Sequence, residues 1–220
     1  MYDTITTTLK RQMRHVHQRV SHLRRIKQLT EFLAPMFASP PGVPSQHCLD
    51  IGCGDMQLSA GIHNMAGNTT WQCIDLHPPR GTAAHAQYQQ YNGQTIPFAN
   101  GAFDVALLAD VLHHAEDIPG LLREAGRVAH RLVVKDHFEY GRYSRAVLQA
   151  MDFYGNWANG VPVPEGYFTP ETFRIVCQRL GYRVAVQHTG IDLYAHLPVL
   201  GRILRPEWQF IAVIETRPPA

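Results

Sequence analysis

The stretch that decides the fold is Cys48-Leu49-Asp50-Ile51-Gly52-Cys53-Gly54-Asp55, a short, mostly apolar run that ends in two glycines. The run has the composition of a buried strand, and the glycines predict a tight turn after it. Because Gly52 and Gly54 lack a Cβ, the turn can adopt strained conformations and its backbone can approach a flat or charged ligand closely. A helix beginning at Met56, capped by Asp55, would follow. The stretch therefore predicts a ligand site at the end of a first strand.

The composition is that of one folded domain. The chain has 220 residues, of which 45% are hydrophobic and 17% charged, which is enough to bury one substantial core. No apolar run reaches the roughly 18 to 20 residues that a membrane-spanning helix needs, and a net charge of +2 is too small to require a nucleic acid as partner. The four cysteines show no Cys-x-x-Cys spacing, which favours buried thiols in a reducing compartment. We therefore expect a soluble, cytoplasmic protein.

Residues 1–45 are predicted to form a helical cap and a linker that precede a domain over residues 46–220. Apolar residues spaced by four, three, four and three between Leu9 and Leu23 predict one face of a long helix. Its other face is basic, a pattern also typical of an organellar transit peptide. We expect this helix to lie near the ligand cleft, with a solvated face or an RNA- or membrane-contacting surface as the alternatives. A proline-rich segment from Ser39 to Pro44 ends it.

The second strand is predicted over Thr70 to Asp75, and it ends in an acid 25 residues after Asp50. A carboxylate at the tip of this strand can accept hydrogen bonds from both ribose hydroxyls of a nucleoside. The alternative is that Asp75 only begins a turn. A third strand is predicted near Gln87 to Tyr91.

The fourth strand is predicted over Phe103 to Ala109, and its nearly continuous apolar character is expected of a strand covered on both faces. It runs into Asp110-Val111-Leu112-His113-His114. The fifth strand, His130 to Lys135, is predicted to place Asp136 and His137 just beyond its C-terminal end, the edge at which open α/β sheets bind ligands. No third ligand at metal spacing accompanies the adjacent histidines, so no metal site is predicted.

On these motifs the sequence resembles the class I S-adenosylmethionine (SAM)-dependent methyltransferases, in particular the small-molecule, methyltransferase type 11-like group. Asp50, Gly52 and Gly54 fit the first motif of that family, an acid followed by three alternating glycines, and Met56 stands where the third glycine usually falls. The resemblance implies that Asp75 accepts hydrogen bonds from the ribose hydroxyls of the cofactor. It implies SAM as cofactor and S-adenosylhomocysteine as product.

A second block, from Asn92 to Asp104, strengthens the resemblance because it carries the Pro-Phe and Phe-Asp pairs of that family. Asn92 stands where the family has an Asp that accepts a hydrogen bond from the adenine amino group, a bond that an amide oxygen can also accept. Gly93 would offer its N–H to the ring. The resemblance thus assigns cofactor binding to Asp50, Gly52, Gly54, Asp75, Leu76, Asn92, Gly93, Asp110 and His113.

The fold that the resemblance implies is α/β, with a Rossmann-like, seven-stranded, mostly parallel sheet, an antiparallel last strand and helices on both faces. Residues 138–168 are rich in aromatic rings, glycine and proline. Such a segment at the ligand edge suits a lid over an apolar or aromatic substrate. The alternative is that Leu148, Met151 and part of the ring set form the core side of a helix.

The implied reaction is direct methyl transfer to a small-molecule acceptor, for which positioning supplies much of the rate gain. If the acceptor carries a proton, His137 or His114 is the expected catalytic base. One alternative is an RNA methyltransferase that uses the basic N-terminal helix, and another is a SAM-fold binding protein that no longer methylates. Gln57 occupies the third-glycine position of a nicotinamide-binding Gly-x-Gly-x-x-Gly, which disfavours hydride transfer. A homodimer is possible.

Overall fold

A seven-stranded sheet forms the centre of the protein in the computed structural model. The residues that the structure describes are 21–39, 42–79, 83–156, 163–197 and 200–216. The strands are β1 (Gln46–Ile51), β2 (Thr69–Asp75), β3 (Ala86–Gln90), β4 (Phe103–Ala109), β5 (Ala129–His137), β6 (Arg183–Thr189) and β7 (Gln209–Glu215). Their spatial order is β3-β2-β1-β4-β5-β7-β6, and β7 is antiparallel to both of its neighbours while every other pairing is parallel. The predicted fold class is confirmed.

The order of the strands explains where a ligand can bind. Strand β1 lies between β2 and β4, so the chain moves outward in one direction from β1 to β3 and in the other from β4 onward. In open parallel sheets the ligand crevice lies at the C-terminal strand ends where this order reverses. The residues that follow β1, β2 and β4 therefore meet at one edge of the sheet.

Helices cover both faces of the sheet. They are α1 (residues 21–33), α2 (Gln57–Ala66), α3 (Ile118–Val128), α4 (Arg142–Asn156), α5 (Pro170–Arg179) and α6 (Leu200–Ile203). Leu122 of α3 and Phe173 of α5 belong to one buried cluster, and Leu33 of α1 and Ile62 of α2 belong to another. Among the described residues, none of the helices combines the length and the apolar character that crossing a bilayer requires.

Local signals mark the ends of two of the helices. Asp117 caps α3 by accepting the N–H of Gly120 at 2.9 Å, and Gly181 follows α5 with φ of +74°. Helix α2 differs, because it begins at Gln57 after Met56, whose φ is +59°. Asp55 accepts the N–H of Gln57 at 3.1 Å but is not itself the cap residue.

Strand β5 is longer than its sequence predicts. It runs to His137, because β7 extends the antiparallel ladder by pairing Phe210 with Asp136 and Gln209 with His137. Asp136 and His137 are thus the last residues of the strand and not the first of a loop. In the segment that follows, Phe138 packs in the core with its ring stacked on Phe210 at 3.8 Å. Trp157, one of the aromatic residues of the predicted lid segment 138–168, lies outside the described residues.

Candidate active site

A cleft of about 810 Å³ opens at the C-terminal edge of the sheet. One wall is formed by the glycine turn after β1 and by Asp75 at the end of β2, and the opposite wall by the turn after β4 and the end of β5. Helices α1 and α4 also line it. Apolar side chains of Ile26 and Leu29 from α1, and of Leu148 and Met151 from α4, line it. The cleft therefore lies where the strand order predicts a ligand site.

The glycine turn is shaped for close approach. Gly52 has φ of +74° and Gly54 has φ of +53°, backbone angles that residues with a side chain rarely adopt. A Cβ on Gly52 would lie 2.0 Å from Cγ2 of Val111, so the turn after β4 packs directly on this residue. A Cβ on Gly54 would meet no heavy atom within 4 Å, although Gly54 lines the cleft. The space above Gly54 is thus available to a ligand.

Backbone N–H groups hold Asp75 in position. Gly54 donates its N–H to Oδ2 of Asp75 at 2.9 Å, and His77 donates its N–H to Oδ1 at 3.0 Å. The carboxylate faces the cleft, and each oxygen keeps a further lone pair that a ribose hydroxyl can use. The glycine turn and this carboxylate fit the nucleoside part of SAM.

Asp50 also lines the cleft, and its side chain is buried. Burial raises the pKa of Asp50 to about 7, a hydrogen bond with Ser59 opposes the shift, and the charges of Asp75 and Asp55 add to it. Asp50 is therefore a carboxyl group that changes its charge near neutral pH.

The predicted adenine contacts lie apart from this cleft. Asn92 borders a separate hollow of about 510 Å³ beside the end of β3. Its Oδ1 accepts the N–H groups of Gln94 and Thr95, both at 3.0 Å. Both acceptor positions of this oxygen are thus engaged in a local turn, and the role of Asn92 toward adenine stays a prediction. A Cβ on Gly93 would lie 2.9 Å from Cδ2 of Leu76, which is half-exposed and directly follows β2.

Asp110 is the centre of a charged cluster on the opposite wall. Its carboxylate accepts hydrogen bonds from Arg25 of α1 and from Lys135 of β5. Burial would raise the pKa of Asp110, but the charges of Arg25 and Lys135 outweigh burial and hold that pKa well below its usual range. Lys135 is fully buried, and burial lowers its pKa despite the opposing charge of Asp110. The cluster ties α1 to the end of the sheet.

His113 is held by a second carboxylate. Its Nδ1 lies 2.5 Å from Oδ1 of Asp136, and the other oxygen of Asp136 accepts the N–H of Leu112 at 3.1 Å. Burial would lower the pKa of His113, but the charges of Asp136 and Asp152 raise it overall. The Nε2 atom of the same ring points toward Oδ2 of Asp152 on α4, 3.6 Å away. His113 is therefore oriented by Asp136 and partly neutralised by Asp152.

His137 differs from its neighbours because neither of its ring nitrogens has a hydrogen-bond partner among the described residues, although both are buried. Its Nδ1 lies 3.4 Å from Oδ1 of Asp136 and 3.6 Å from Oδ1 of Asp110, without hydrogen-bond geometry. Burial and the charge of Lys135 lower the pKa of His137, so the ring is neutral at pH 7. A buried ring nitrogen without a partner is unfavourable unless a ligand supplies one.

The described structure also brings metal-ligand side chains together, which sequence spacing did not reveal. There are two such sets among the described residues, and in each set the ligand atoms lie within 4.8 Å of one another. One set is His113, His114 and Asp152, and the other is His113, Asp136 and His137. Asp152 follows His113 by 39 residues and comes from α4, so no local motif links them. Asp152 is also held by the hydroxyl of Tyr167.

Comparisons with known proteins find a methyltransferase domain and solved structures of the same fold. A family model of the methyltransferase domain matches residues 49–131, and a search of curated protein sequences finds no match. A SAM-dependent methyltransferase from Aquifex aeolicus is 15% identical with a TM-score of 0.57, over 86% of this chain and 89% of that one. A second, from Mesorhizobium loti, is 16% identical with a TM-score of 0.59, over 83% and 95%. The cyclase SpnF is 14% identical with a TM-score of 0.60, over 88% and 82%.

At these identities the solved structures show the shared fold, and the family model adds the domain type. The matched segment contains the glycine turn, Asp75 and the turn after β4 that carries His113 and His114, whereas the parts of the cleft formed by α1, α4 and the end of β5 lie outside it. Residues 49–131 are therefore similar to the methyltransferase domain family, and the chain has the fold of the class I SAM-dependent methyltransferases, whose cofactor is S-adenosylmethionine.

Proposed function

We propose that the protein methylates a small-molecule acceptor, and that the acceptor lies between the glycine turn and His137. S-adenosylmethionine, when bound, supplies an electrophilic methyl group that the acceptor takes by direct displacement, leaving S-adenosylhomocysteine. A volume of about 810 Å³ is within the range of about 300–1,000 Å³ typical of small-molecule sites. The apolar lining contributed by α1 and α4 favours an acceptor with an apolar or aromatic body.

In this proposal the two walls of the cleft have different tasks. The turn at Gly52 and Gly54 and the carboxylate of Asp75 bind the nucleoside end of the cofactor. Leu148 and Met151 of α4 pack against the acceptor and exclude water from the reacting atoms. Much of the rate gain then comes from holding acceptor and methyl group together in a fixed orientation.

The observation that carries the proposal is the state of His137. It is buried, neutral at pH 7 and without a hydrogen-bond partner among the described residues, and it lines the cleft. A neutral imidazole in this position can accept the proton of an acceptor hydroxyl or activated carbon. His114, the other candidate base, lines the same wall, but His137 has the buried nitrogens that need a partner.

The two alternative functions make different predictions. An RNA methyltransferase would use Arg14, Arg24 and Arg25, yet Arg25 is already paired with Asp110 inside the cleft, and Arg14 lies outside the described residues. A protein that binds SAM without transferring its methyl group fits the same fold, since one structural relative is named a cyclase. Four free, buried cysteines support the cytoplasm as the proposed location.

The test is a reaction of the purified chain with methyl-labelled SAM and an extract of the source organism, separated into small molecules and RNA. We expect the label to enter a small molecule, and His137→Ala to reduce its incorporation at least about 100-fold. His188→Ala, an exposed histidine on β6, is the matched control. Label in the RNA fraction, lost at high salt, would favour the RNA alternative. Tight binding of SAM in calorimetry without any labelled product would favour the non-methylating alternative.

A further inference from the structure

The orientation of His113 prepares one of its nitrogens for a ligand. Its Nδ1 faces Asp136 at 2.5 Å, so the Nδ1–H donates to the carboxylate and Nε2 presents its lone pair when the ring is neutral. A histidine that donates its other N–H to a carboxylate is the usual arrangement around metal ions, because this contact fixes the ring and makes the ligand nitrogen more basic.

The distances distinguish the two candidate ligand sets. Two donors bound tetrahedrally to Zn²⁺ at about 2.0–2.1 Å lie about 3.3 Å apart. The Nε2 of His113 and Oδ2 of Asp152 are 3.6 Å apart, which is close to this separation and longer than a hydrogen bond. The Nδ1 of His113 and Oδ1 of Asp136 are only 2.5 Å apart, which is too close for both to bind one ion. The set that contains Asp152 therefore has the better geometry.

We propose that His113, His114 and Asp152 bind a divalent transition-metal ion, such as Zn²⁺, on the acceptor side of the cleft. All three side chains line the cleft, and their ligand atoms lie within 4.8 Å of one another. Two imidazoles and one carboxylate are ligands that suit such ions, and three protein ligands leave a coordination position for a small molecule. Asp136 and Tyr167 orient two of the ligands through hydrogen bonds.

The role of the ion rests on the proposed function. An oxygen of the acceptor that occupies the open position would have its pKa lowered, so that its proton passes more easily to His137. The oxygen would then attack the methyl carbon with the electron pair left by that proton. The binding of the ion itself does not depend on methyl transfer.

The site is tested by titrating Zn²⁺ into the untagged chain after treatment with EDTA and dialysis, using calorimetry. We expect one Zn²⁺ per chain and at least about 10-fold weaker binding in both His114→Ala and Asp152→Asn. His188→Ala is the control for adventitious binding by exposed histidines and should bind as the wild type does. Cobalt(II) added in place of zinc should give a visible absorption band that is lost in Asp152→Asn.

The proposal is overturned if the wild type binds no Zn²⁺, or if binding is unchanged in both ligand variants. Binding of S-adenosylhomocysteine by the variants shows that they are folded. A chain that binds Zn²⁺ but transfers no labelled methyl group supports the metal site and refutes the proposed function. A chain that transfers the label without binding Zn²⁺ refutes the metal site alone.

Discussion

Alanine at each of the two turn glycines separates the stability of the turn from its role in binding. At either position a left-handed backbone costs an alanine about 1–2 kcal/mol. At Gly52 the new Cβ would also lie 2.0 Å from Cγ2 and 3.2 Å from Cβ of Val111, an overlap that adds about 1–3 kcal/mol. We expect Gly52→Ala to lower the free energy of unfolding by about 2–5 kcal/mol and Gly54→Ala by only about 1–2 kcal/mol.

Gly54→Ala should weaken ligand binding by more than its small loss of stability explains. The Cβ of Gly54→Ala meets no protein atom within 4 Å but enters the cleft, so it occupies space that the cofactor needs. We expect the affinity for S-adenosylhomocysteine to fall at least about 10-fold, which corresponds to about 1.4 kcal/mol. Urea unfolding gives the stability and calorimetry gives the affinity.

Gly181→Ala is the matched control for these variants. Gly181 has φ of +74° and open surroundings, and it does not line the cleft, so its variant should share the backbone strain and keep the wild-type affinity. If Gly54→Ala binds S-adenosylhomocysteine as tightly as Gly181→Ala, the cofactor does not pass over this turn. Equal stability of the Gly52 and Gly54 variants would contradict the packing against the turn after β4.

Three further predictions concern the charged groups. Asp110→Asn leaves Lys135 buried without its counter-charge, so urea unfolding at pH 7 should show a loss of about 3 kcal/mol. Because burial lowers the pKa of Lys135, this loss should shrink as the pH is raised and the side chain loses its charge. Since the pKa of Asp50 is raised to about 7, the free energy of unfolding should fall as the pH rises from about 4 to 7, and Asp50→Asn should flatten this slope in urea unfolding. The lowered pKa of His137 should place the acid limb of kcat/KM below about pH 6.5, and rates of His137→Ala across the same pH range should show no such limb.

Local patterns predicted the first five strands, whereas the seven-stranded sheet with its antiparallel last strand followed from the family resemblance. The continuous apolar run of β4 reproduced its observed bounds, Phe103–Ala109, because a strand covered on both faces needs apolar residues at nearly every position. The glycines after β1 predicted a turn that the structure shows with positive φ at both. Such signals depend on neighbours in sequence, so a single chain reveals them.

The acceptor side of the cleft, formed by the turn after β4, the end of β5 and α4, depends on contacts between residues that are far apart in the sequence. Asp152 faces His113 only because α4 folds back over the strand ends, and Arg25 reaches Asp110 across 85 residues of chain. The extension of β5 to His137 depends likewise on pairing with β7, the last strand of the sheet. The sequence did not assign Asp152 or Arg25 to the cleft, because their partners are distant along the chain.

The electrostatics of the acceptor side connect the charged cluster, the proposed ion and the acceptor. With His113 protonated, three positive side chains balance three carboxylates, so the wall is neutral around the uncharged ring of His137. Those side chains are Arg25, Lys135, His113, Asp110, Asp136 and Asp152. Replacing the proton on His113 by a divalent ion adds one positive charge, and this charge would stabilise the oxygen of an acceptor whose proton has passed to His137. The low-dielectric cleft would therefore favour the deprotonated, nucleophilic form of the acceptor when the ion is present. Since one cation comes from α1 and one carboxylate from α4, both helices contribute charged groups to the cleft.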